Sequence, residues 1–143
     1  MLKFARITFL ATALMLATAA SMPAPASAGD SDPLFVNMTT SDAHRAEMAI
    51  GFSRKQQERK HPVTVFLNDK GVAVAAKSKA GEFAKHQGML AQIIKDGGTV
   101  IVCPMCMKHY GIAKDDLIDG AQVGNPELTG GLLFKDGTQT LTW

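Results

Sequence analysis

Short apolar runs alternate with longer segments of mixed polarity along this chain. Three runs of about five residues are rich in β-branched and aromatic side chains, which is typical of buried strands: Leu34–Met38, Val63–Leu67 and Gly98–Val102. Segments long enough for helices separate these runs. The alternation predicts an α/β fold with three layers, α/β/α, in which helices cover both faces of a mainly parallel sheet of about five strands.

The first helix is predicted to run from the segment Thr39–Asp42 to about Lys60. Thr39–Asp42 offers several side chains that can cap a helix, and Pro62 prevents the helix from continuing into the next strand. Four residues within it share one face and are expected to meet the sheet: Ala46, Ala49, Ile50 and Ser53.

The second helix is predicted from about Phe83 to Asp96, with Gly97 as its stop. The polar segment Ser78–Gly81 before it is predicted to be a loop, and a short Ala/Val segment, Gly71–Ala76, precedes that loop. Three residues of the helix are expected to point inward, namely Phe83, Leu90 and Ile94, while His86 lies on a polar stretch.

The last third of the chain predicts two further strands and a short helix. A helix follows Cys103 and ends at Gly111, and a short strand is expected at Ala121–Val123. Asn125-Pro126-Glu127 combines a cap, a first-position proline and a first-turn acid, so a helix should extend toward Phe134 unless Gly130-Gly131 ends it early. Thr138–Trp143 is predicted as the final strand.

Residues 1–28 have the pattern of a secretory signal peptide. Lys3 and Arg6 precede the apolar stretch Ile7–Ala20, and Ala26-Ser27-Ala28 resembles a cleavage site. We therefore expect an exported, periplasmic protein without stable membrane insertion after processing, whose mature chain forms one domain over residues 29–143.

The charge of this mature segment is balanced. Removing the signal takes away Lys3 and Arg6 and leaves 13 basic against 13 acidic residues, which does not suggest nucleic acid or an acidic membrane as a partner. The sequence shows no phosphate-binding glycine loop and no serine nucleophile elbow, so a nucleotide enzyme or conventional hydrolase is not expected.

The segment Cys103-Pro104-Met105-Cys106 contains both cysteines of the chain. Pro104 suits the first position of a helix, which makes Cys103 the predicted N-cap. Backbone amides of the first turn would then point toward its sulfur and favour the thiolate, helped by Lys108 and His109 one turn further on. Cys103 would sit at the carboxyl end of a strand, where such sheets bind ligands, with Asn37, Thr39 and Asn68 as candidate neighbours.

Two cysteines in an exported chain usually indicate a structural disulfide. Here the bridge would close a very small loop, which constrains the unfolded chain little, so a redox or metal role is favoured instead. Cys103 is interpreted as the nucleophile rather than a buried apolar residue. Cys106 either resolves an adduct on Cys103 by forming a disulfide or packs beneath the helix.

The chain resembles the DsrE/DsrF-like family of small α/β sulfur-relay proteins, and within it an exported subgroup with the Cys-Pro-Met-Cys segment. The resemblance rests on Phe35–Thr39, Pro62–Asn68, and Val102-Cys103 followed by a helix and Gly111-Ile112. It implies that Cys103 carries a persulfide and passes its sulfur to a partner thiol, the donors and acceptors being proteins or small thiols. It also implies a homotrimer or homohexamer, and no cofactor is assigned.

Two other functions remain open at this stage. A thiol-disulfide oxidoreductase could use Cys103 and Cys106, although thioredoxin-like folds carry this motif early in the chain. A Cu(I)- or Zn-binding module could use Cys103, Cys106 and His109 with methionine thioethers, although no second ligand pair is present for a structural zinc site. The two cysteines are the site residues in either case.

Overall fold

The structure is a computed structural model that describes Gly29 and residues 31–143, so the predicted signal peptide lies outside the described residues. Among the residues described, no helix combines the length and apolar character of a membrane span. The strands are β1 (Leu34–Met38), β2 (Val63–Leu67), β3 (Thr99–Val102), β4 (Gln122–Val123) and β5 (Gln139–Thr142). The helices are α1 (Ala43–Glu58), α2 (Ala80–Lys95), α3 (Pro104–Tyr110) and α4 (Pro126–Leu133), and 3₁₀ segments lie at Asp69–Ala75, Lys77–Lys79 and Lys114–Asp116.

The five strands form one sheet in the order β4-β3-β2-β1-β5, and every neighbouring pair is parallel. The chain moves outward from β1 to β4 and then returns to the other side of β1. Because crossovers between parallel strands are right-handed, this reversal puts α1, α2 and α3 on one face and α4 on the opposite face. The predicted α/β fold with a parallel sheet of five strands is confirmed.

The main core lies between the sheet and the first two helices. Alternate residues of β2 and β3 are fully buried there, including Val65 and Val100, which are partners in the register. Helix α1 contributes Ala46, Ala49, Ile50 and Ser53, as predicted, and the Ser53 hydroxyl donates to the Ala49 carbonyl at 2.8 Å. Full burial of an aliphatic side chain such as Val65 or Val100 stabilises the folded state by roughly 1.5–3 kcal/mol.

Local signals place most element ends correctly. The Asp42 carboxylate accepts a hydrogen bond from the Arg45 amide at 2.8 Å and begins α1, which ends at Glu58, two residues before the predicted end. Asn125 caps α4 in the same way, accepting from the Leu128 amide at 2.8 Å, and the helix continues through Gly130-Gly131.

The predicted loop before α2 is wrong. Lys77–Lys79 forms a 3₁₀ turn and α2 begins at Ala80, three residues before the predicted start. The inward face is correspondingly shifted, because Ile93 is fully buried whereas Ile94 is only partly so. His86 is also buried, since its Nε2 atom lies 2.7 Å from the Ala43 carbonyl of the neighbouring helix.

Among the residues that the structure describes, α4 is the helix that covers part of the second face of the sheet. Phe35 and Phe66 pack there with ring centroids 6.0 Å apart, and Phe66 is only partly buried. Phe134, at the end of α4, is 82% exposed. The second face therefore keeps an open region beside the carboxyl ends of the strands.

Candidate functional site

Cys103 lies at the junction of β3 and α3. It is the N-cap of α3 with extended backbone angles, and Pro104 takes the first helical position, as predicted. Its amide donates to the Leu67 carbonyl of β2 at 2.9 Å, and its carbonyl accepts from the Met107 amide at 2.9 Å. The backbone on both sides of Cys103 is thus held by the sheet and the helix, and its side chain is 6% exposed.

The sulfur of Cys103 makes no capping hydrogen bond to the first turn of α3. This differs from the prediction that helix amides point at this sulfur. Pro104 at the first position does not remove the usual donors, which are the amides of Met105 and Cys106; the Cys103 side chain instead faces the groove described below. The main-chain N–H that donates to a thiol of this site comes from another element.

Cys106 receives such a hydrogen bond. The main-chain N–H of Asp69, in the 3₁₀ segment after β2, donates to the Cys106 Sγ at 3.1 Å. Burial raises the pKa of the Cys106 thiol, its hydrogen bond with Cys103 raises this pKa further, and the Asp69 amide acts in the opposite direction. Both cysteines are free, so the site contains two neighbouring thiols, and the pKa of Cys106 lies above its ordinary value.

Asp69 is itself held by Tyr110, the last residue of α3. The Tyr110 hydroxyl donates to the Asp69 Oδ1 at 2.5 Å, and this bond raises the pKa of the phenol. Asp69 has a φ of 44°, in the left-handed region that non-glycine residues adopt infrequently. Neither residue was predicted as part of the site. The available signal was that Asp69 follows the carboxyl end of a predicted strand, where such sheets bind ligands.

Cys103 opens onto a groove of about 400 Å³ on the second face of the sheet. The groove is bounded on one side by the start of α3 and on the other by the start of α4. Gly124 is buried at its base, where an added Cβ would lie 3.0 Å from both Ile101 and Thr129. The lining residues are Phe66, Cys103, Pro104, Met105, Gly124, Asn125, Pro126 and Thr129.

A second groove of about 370 Å³ adjoins the first, since both are lined by Phe66 and Thr129. Asn37 and Asn68 line it, and the Asn68 amide donates to the Asn37 side-chain oxygen, so two of the predicted neighbours lie in this region. The third, Thr39, instead donates through its hydroxyl to the Trp143 carbonyl at 2.7 Å. No Asp, Glu, Lys or Arg lines either groove.

The remaining candidate residues lie at the surface of α3. Lys108 and His109 are exposed, and the centroids of the His109 and Tyr110 rings lie 4.7 Å apart in an edge-on arrangement.

Within Gly29 and residues 31–143, no three His, Cys, Asp or Glu side chains are grouped so as to hold a metal ion. Met107 and Met38 are buried in the core, whereas Met105 is 79% exposed at the groove.

Comparison with known proteins links this fold and site to one family. The sequence model of the DsrE/DsrF-like family matches residues 10–136. An uncharacterized protein from Methanocaldococcus jannaschii is 34% identical over 80 residues, which cover 55% of this chain and 70% of that protein.

Three solved structures share the fold. A protein of unknown function from Methanobacterium thermoautotrophicum superposes with a TM-score of 0.66 at 16% identity, covering 78% of this chain and 99% of that one. The ychN protein from E. coli gives a TM-score of 0.58 at 26% identity, covering 79% of this chain and 99% of that one. A conserved protein of unknown function from Bacteroides thetaiotaomicron gives 0.61 at 18% identity, with 78% and 95% covered.

Proposed function

The chain belongs to the DsrE/DsrF-like family, and on that premise we propose that it is an exported sulfur carrier that holds a persulfide on Cys103. Membership indicates sulfur relay at the level of the family. The observation that carries the proposal for this chain is the position of Cys103: a free thiol that opens onto an uncharged groove, beside a second free thiol.

Loading would begin with the Cys103 thiolate. It attacks the outer, sulfane sulfur of a donor persulfide, R–S–SH. A bond forms between the Cys103 Sγ and that sulfur, the bond between the two donor sulfurs breaks, and the donor leaves as the thiolate RS⁻. The donor carries the electron pair away, so no external oxidant is needed. A partner thiolate then attacks the outer sulfur of the Cys103 persulfide and returns Cys103 to a thiolate.

Cys106 would support this cycle as a proton-holding neighbour. Its raised pKa, caused first by burial and then by the hydrogen bond with Cys103, favours its thiol form. The same contact offers a second route for release of the sulfur, which leaves Cys103 and Cys106 as a disulfide that a dithiol reductant must reduce before the next loading. The Cys106 thiolate can attack the Cys103 Sγ, forming the disulfide and expelling the outer sulfur as hydrosulfide.

The groove favours donors and acceptors that do not depend on charge for binding. Its lining combines the apolar Phe66, Pro104 and Met105 with the amide and hydroxyl groups of Asn125 and Thr129. Groups of this kind accommodate an uncharged thiol or a short polypeptide segment that carries one.

A thiol-disulfide oxidoreductase is the second candidate. The observation that favours it is the proximity of two free thiols, since Cys103 contributes to the raised pKa of Cys106. In that function the pair would pass between dithiol and disulfide, and no extra sulfur would remain on the protein.

Export and assembly belong to the same proposal. The predicted signal peptide, residues 1–28, supports a periplasmic location, and family resemblance supports a homotrimer or homohexamer. The exposed Phe134 on the thinly covered face offers apolar surface for contacts between copies. Sedimentation velocity of the mature protein tests this point, since a monomer at micromolar concentration would contradict it.

The sulfur-carrier function is tested by intact-mass spectrometry of the reduced, metal-free mature protein after treatment with sodium polysulfide. We expect a gain of one sulfur that Cys103→Ser abolishes and Cys106→Ser retains. Ser78→Ala is a control, because it removes a surface hydroxyl distant in sequence from both cysteines.

Two outcomes would contradict the proposal. Loss of two hydrogens with no gain of sulfur would support the oxidoreductase instead. Equal loss of loading in Cys103→Ser and Cys106→Ser would mean that the two thiols act as one dithiol unit.

A further inference from the structure

We infer that Asp69 and Tyr110 are positioning residues for the release of sulfur: Tyr110 holds Asp69 so that its main-chain N–H points at the sulfur of Cys106. The inference rests on the proposed function of Cys103 and Cys106. It adds two residues outside the cysteine segment, and it assigns them to the release step rather than to loading.

The geometry joins three elements of the fold. Asp69 begins the 3₁₀ segment that follows β2, Cys106 lies in the first turn of α3, and Tyr110 ends that helix. The Asp69 N–H donates to the Cys106 Sγ at 3.1 Å, and the Tyr110 hydroxyl donates to the Asp69 carboxylate at 2.5 Å. Helix α3 therefore holds Asp69 at two points, the main-chain N–H and the side-chain carboxylate.

The backbone of Asp69 explains why it must be held. Its φ of 44° is uncommon for a residue with a side chain and persists where neighbouring contacts stabilise it. Gly71, two residues on, donates its amide to the Asn68 carbonyl at 2.9 Å and packs directly on the Met38 carbonyl. The start of the 3₁₀ segment is therefore held by the Gly71 contacts with the backbone of Asn68 and Met38 and by the hydrogen bond from Tyr110 to Asp69.

In the release step Cys106 must become a nucleophile. Its thiolate attacks the Cys103 Sγ of the persulfide, the Cys103–Cys106 disulfide forms, and the bond to the outer sulfur breaks. That sulfur leaves with the electron pair as hydrosulfide, and the Cys106 proton passes to solvent. Cys106 is oxidised as the outer sulfur is reduced. A fixed N–H beside Cys106 stabilises the thiolate before attack, because hydrogen bonds to charged acceptors are stronger than those to neutral ones.

The titratable groups that face Cys106 are few. Cys103 lies at the start of its own helix, and Asp69 lies on the 3₁₀ segment packed against that helix. Asp69 and Cys106 both raise the pKa of Tyr110, and the hydrogen bond with Asp69 is the largest cause. The other titratable groups of these elements are Lys70 after Asp69 and Lys108 and His109 on α3, and all three are exposed.

The test compares Tyr110→Phe and Asp69→Asn with the wild-type mature protein. Tyr110→Phe removes the hydroxyl that holds Asp69. Asp69→Asn keeps an oxygen to accept from Tyr110, tolerates a positive φ and removes the negative charge. Ser78→Ala is the matched control, since it too removes one hydroxyl that donates to a carboxylate, at 2.6 Å to Asp116.

Each protein is loaded with sodium polysulfide and freed of excess donor, and hydrosulfide release is then followed together with the appearance of the disulfide by intact mass. We expect Tyr110→Phe to load normally but to release hydrosulfide about fivefold to tenfold more slowly. Asp69→Asn keeps the acceptor for Tyr110 and should release hydrosulfide faster than Tyr110→Phe does, and Ser78→Ala should stay within about twofold of wild type. Normal loading with an unchanged release rate in Tyr110→Phe would overturn the inference while the carrier function stands.

A second measurement does not depend on loading. In a Cys103→Ser background, the pH profile of Cys106 alkylation reports the pKa of that thiol alone. Tyr110→Phe should move the profile to higher pH, because the amide is less well fixed, and Asp69→Asn should move it to lower pH, because a negative charge is removed. Shifts in the same direction, or no shift, would overturn the inference even if the protein accepts no sulfur.

Discussion

Gly71→Ala is expected to be the most destabilising single-methyl addition in the site region. Gly71 is buried, and an added Cβ would overlap the Met38 carbonyl oxygen, with the Met38 carbonyl carbon 3.1 Å and the Thr39 carbonyl carbon 3.5 Å away. All three atoms belong to the backbone, so none can rotate aside as a side chain would. The chain must move either β1 or the turn that carries Asp69.

The size of this effect follows from the contacts. Overpacking in a tight site costs about 1–3 kcal/mol, and an overlap with backbone belongs to the upper part of that range, about 2–3 kcal/mol. A domain of this length loses roughly 4 °C of Tm for each kcal/mol. We therefore expect Gly71→Ala to lower the Tm by about 8–12 °C.

The assay is urea unfolding followed by circular dichroism, supported by calorimetry. Gly88→Ala is the matched control, because Gly88 is exposed inside α2 and an added Cβ there meets nothing within 4 Å. It should raise the free energy of unfolding by about 0.5–1 kcal/mol through better helix propensity. The reasoning is refuted if Gly71→Ala is as stable as wild type, or if both substitutions destabilise equally.

Three further predictions concern the groove, the surface and pH. Gly124→Ala should slow polysulfide loading of Cys103 severalfold, since the new Cβ meets Ile101 and Thr129 at 3.0 Å; normal loading would show that the groove is not the route to the thiol. Phe134→Asp should leave the Tm within about 2 °C, because this side chain is 82% exposed, but lower the sedimentation coefficient; an unchanged coefficient would remove Phe134 from any assembly contact. Cys106 and Tyr110 both have raised pKa values, so the folded state keeps their protons longer than the unfolded state does. Their contribution to the free energy of unfolding is fully present below the ordinary cysteine pKa of about 8.5, and it is lost as pH rises through the pKa values of the folded state. Urea unfolding across alkaline pH should therefore show falling stability with a smaller slope in the double variant Cys106→Ser, Tyr110→Phe; an equal slope would contradict this.

The regular elements were predictable where their signals are local. Val63–Leu67 was predicted to the residue, as was the buried face of α1, because strand composition and helical spacing need no knowledge of distant contacts. The start of α2 was not, because Ala80 and Gly81 lack a strong capping signal. His86 looked exposed among polar neighbours and is buried because Ala43, distant in sequence, accepts its hydrogen bond.

The site shows the same division. Cys103 and Cys106 were predicted as site residues from their spacing, and the N-cap position of Cys103, predicted from Pro104, is confirmed. The contact between Asp69 and Tyr110 spans 41 positions of sequence and depends on β2 and β3 being neighbours. Strand order cannot be derived from a single sequence when several parallel arrangements bury the same apolar runs.

The strand order also determines when the sheet can be completed during folding. β1 is the first strand to be synthesised, but one of its two partners is β5. The Thr39 hydroxyl likewise donates a hydrogen bond to the Trp143 carbonyl, 104 positions away. Until the last residues arrive, one edge of β1 has no partner, and unpaired edges invite association between chains. Contacts over such distances in sequence also slow folding. For the export proposed above such a delay would be useful, because the sheet gains its fifth strand only after residues 139–142 have been synthesised.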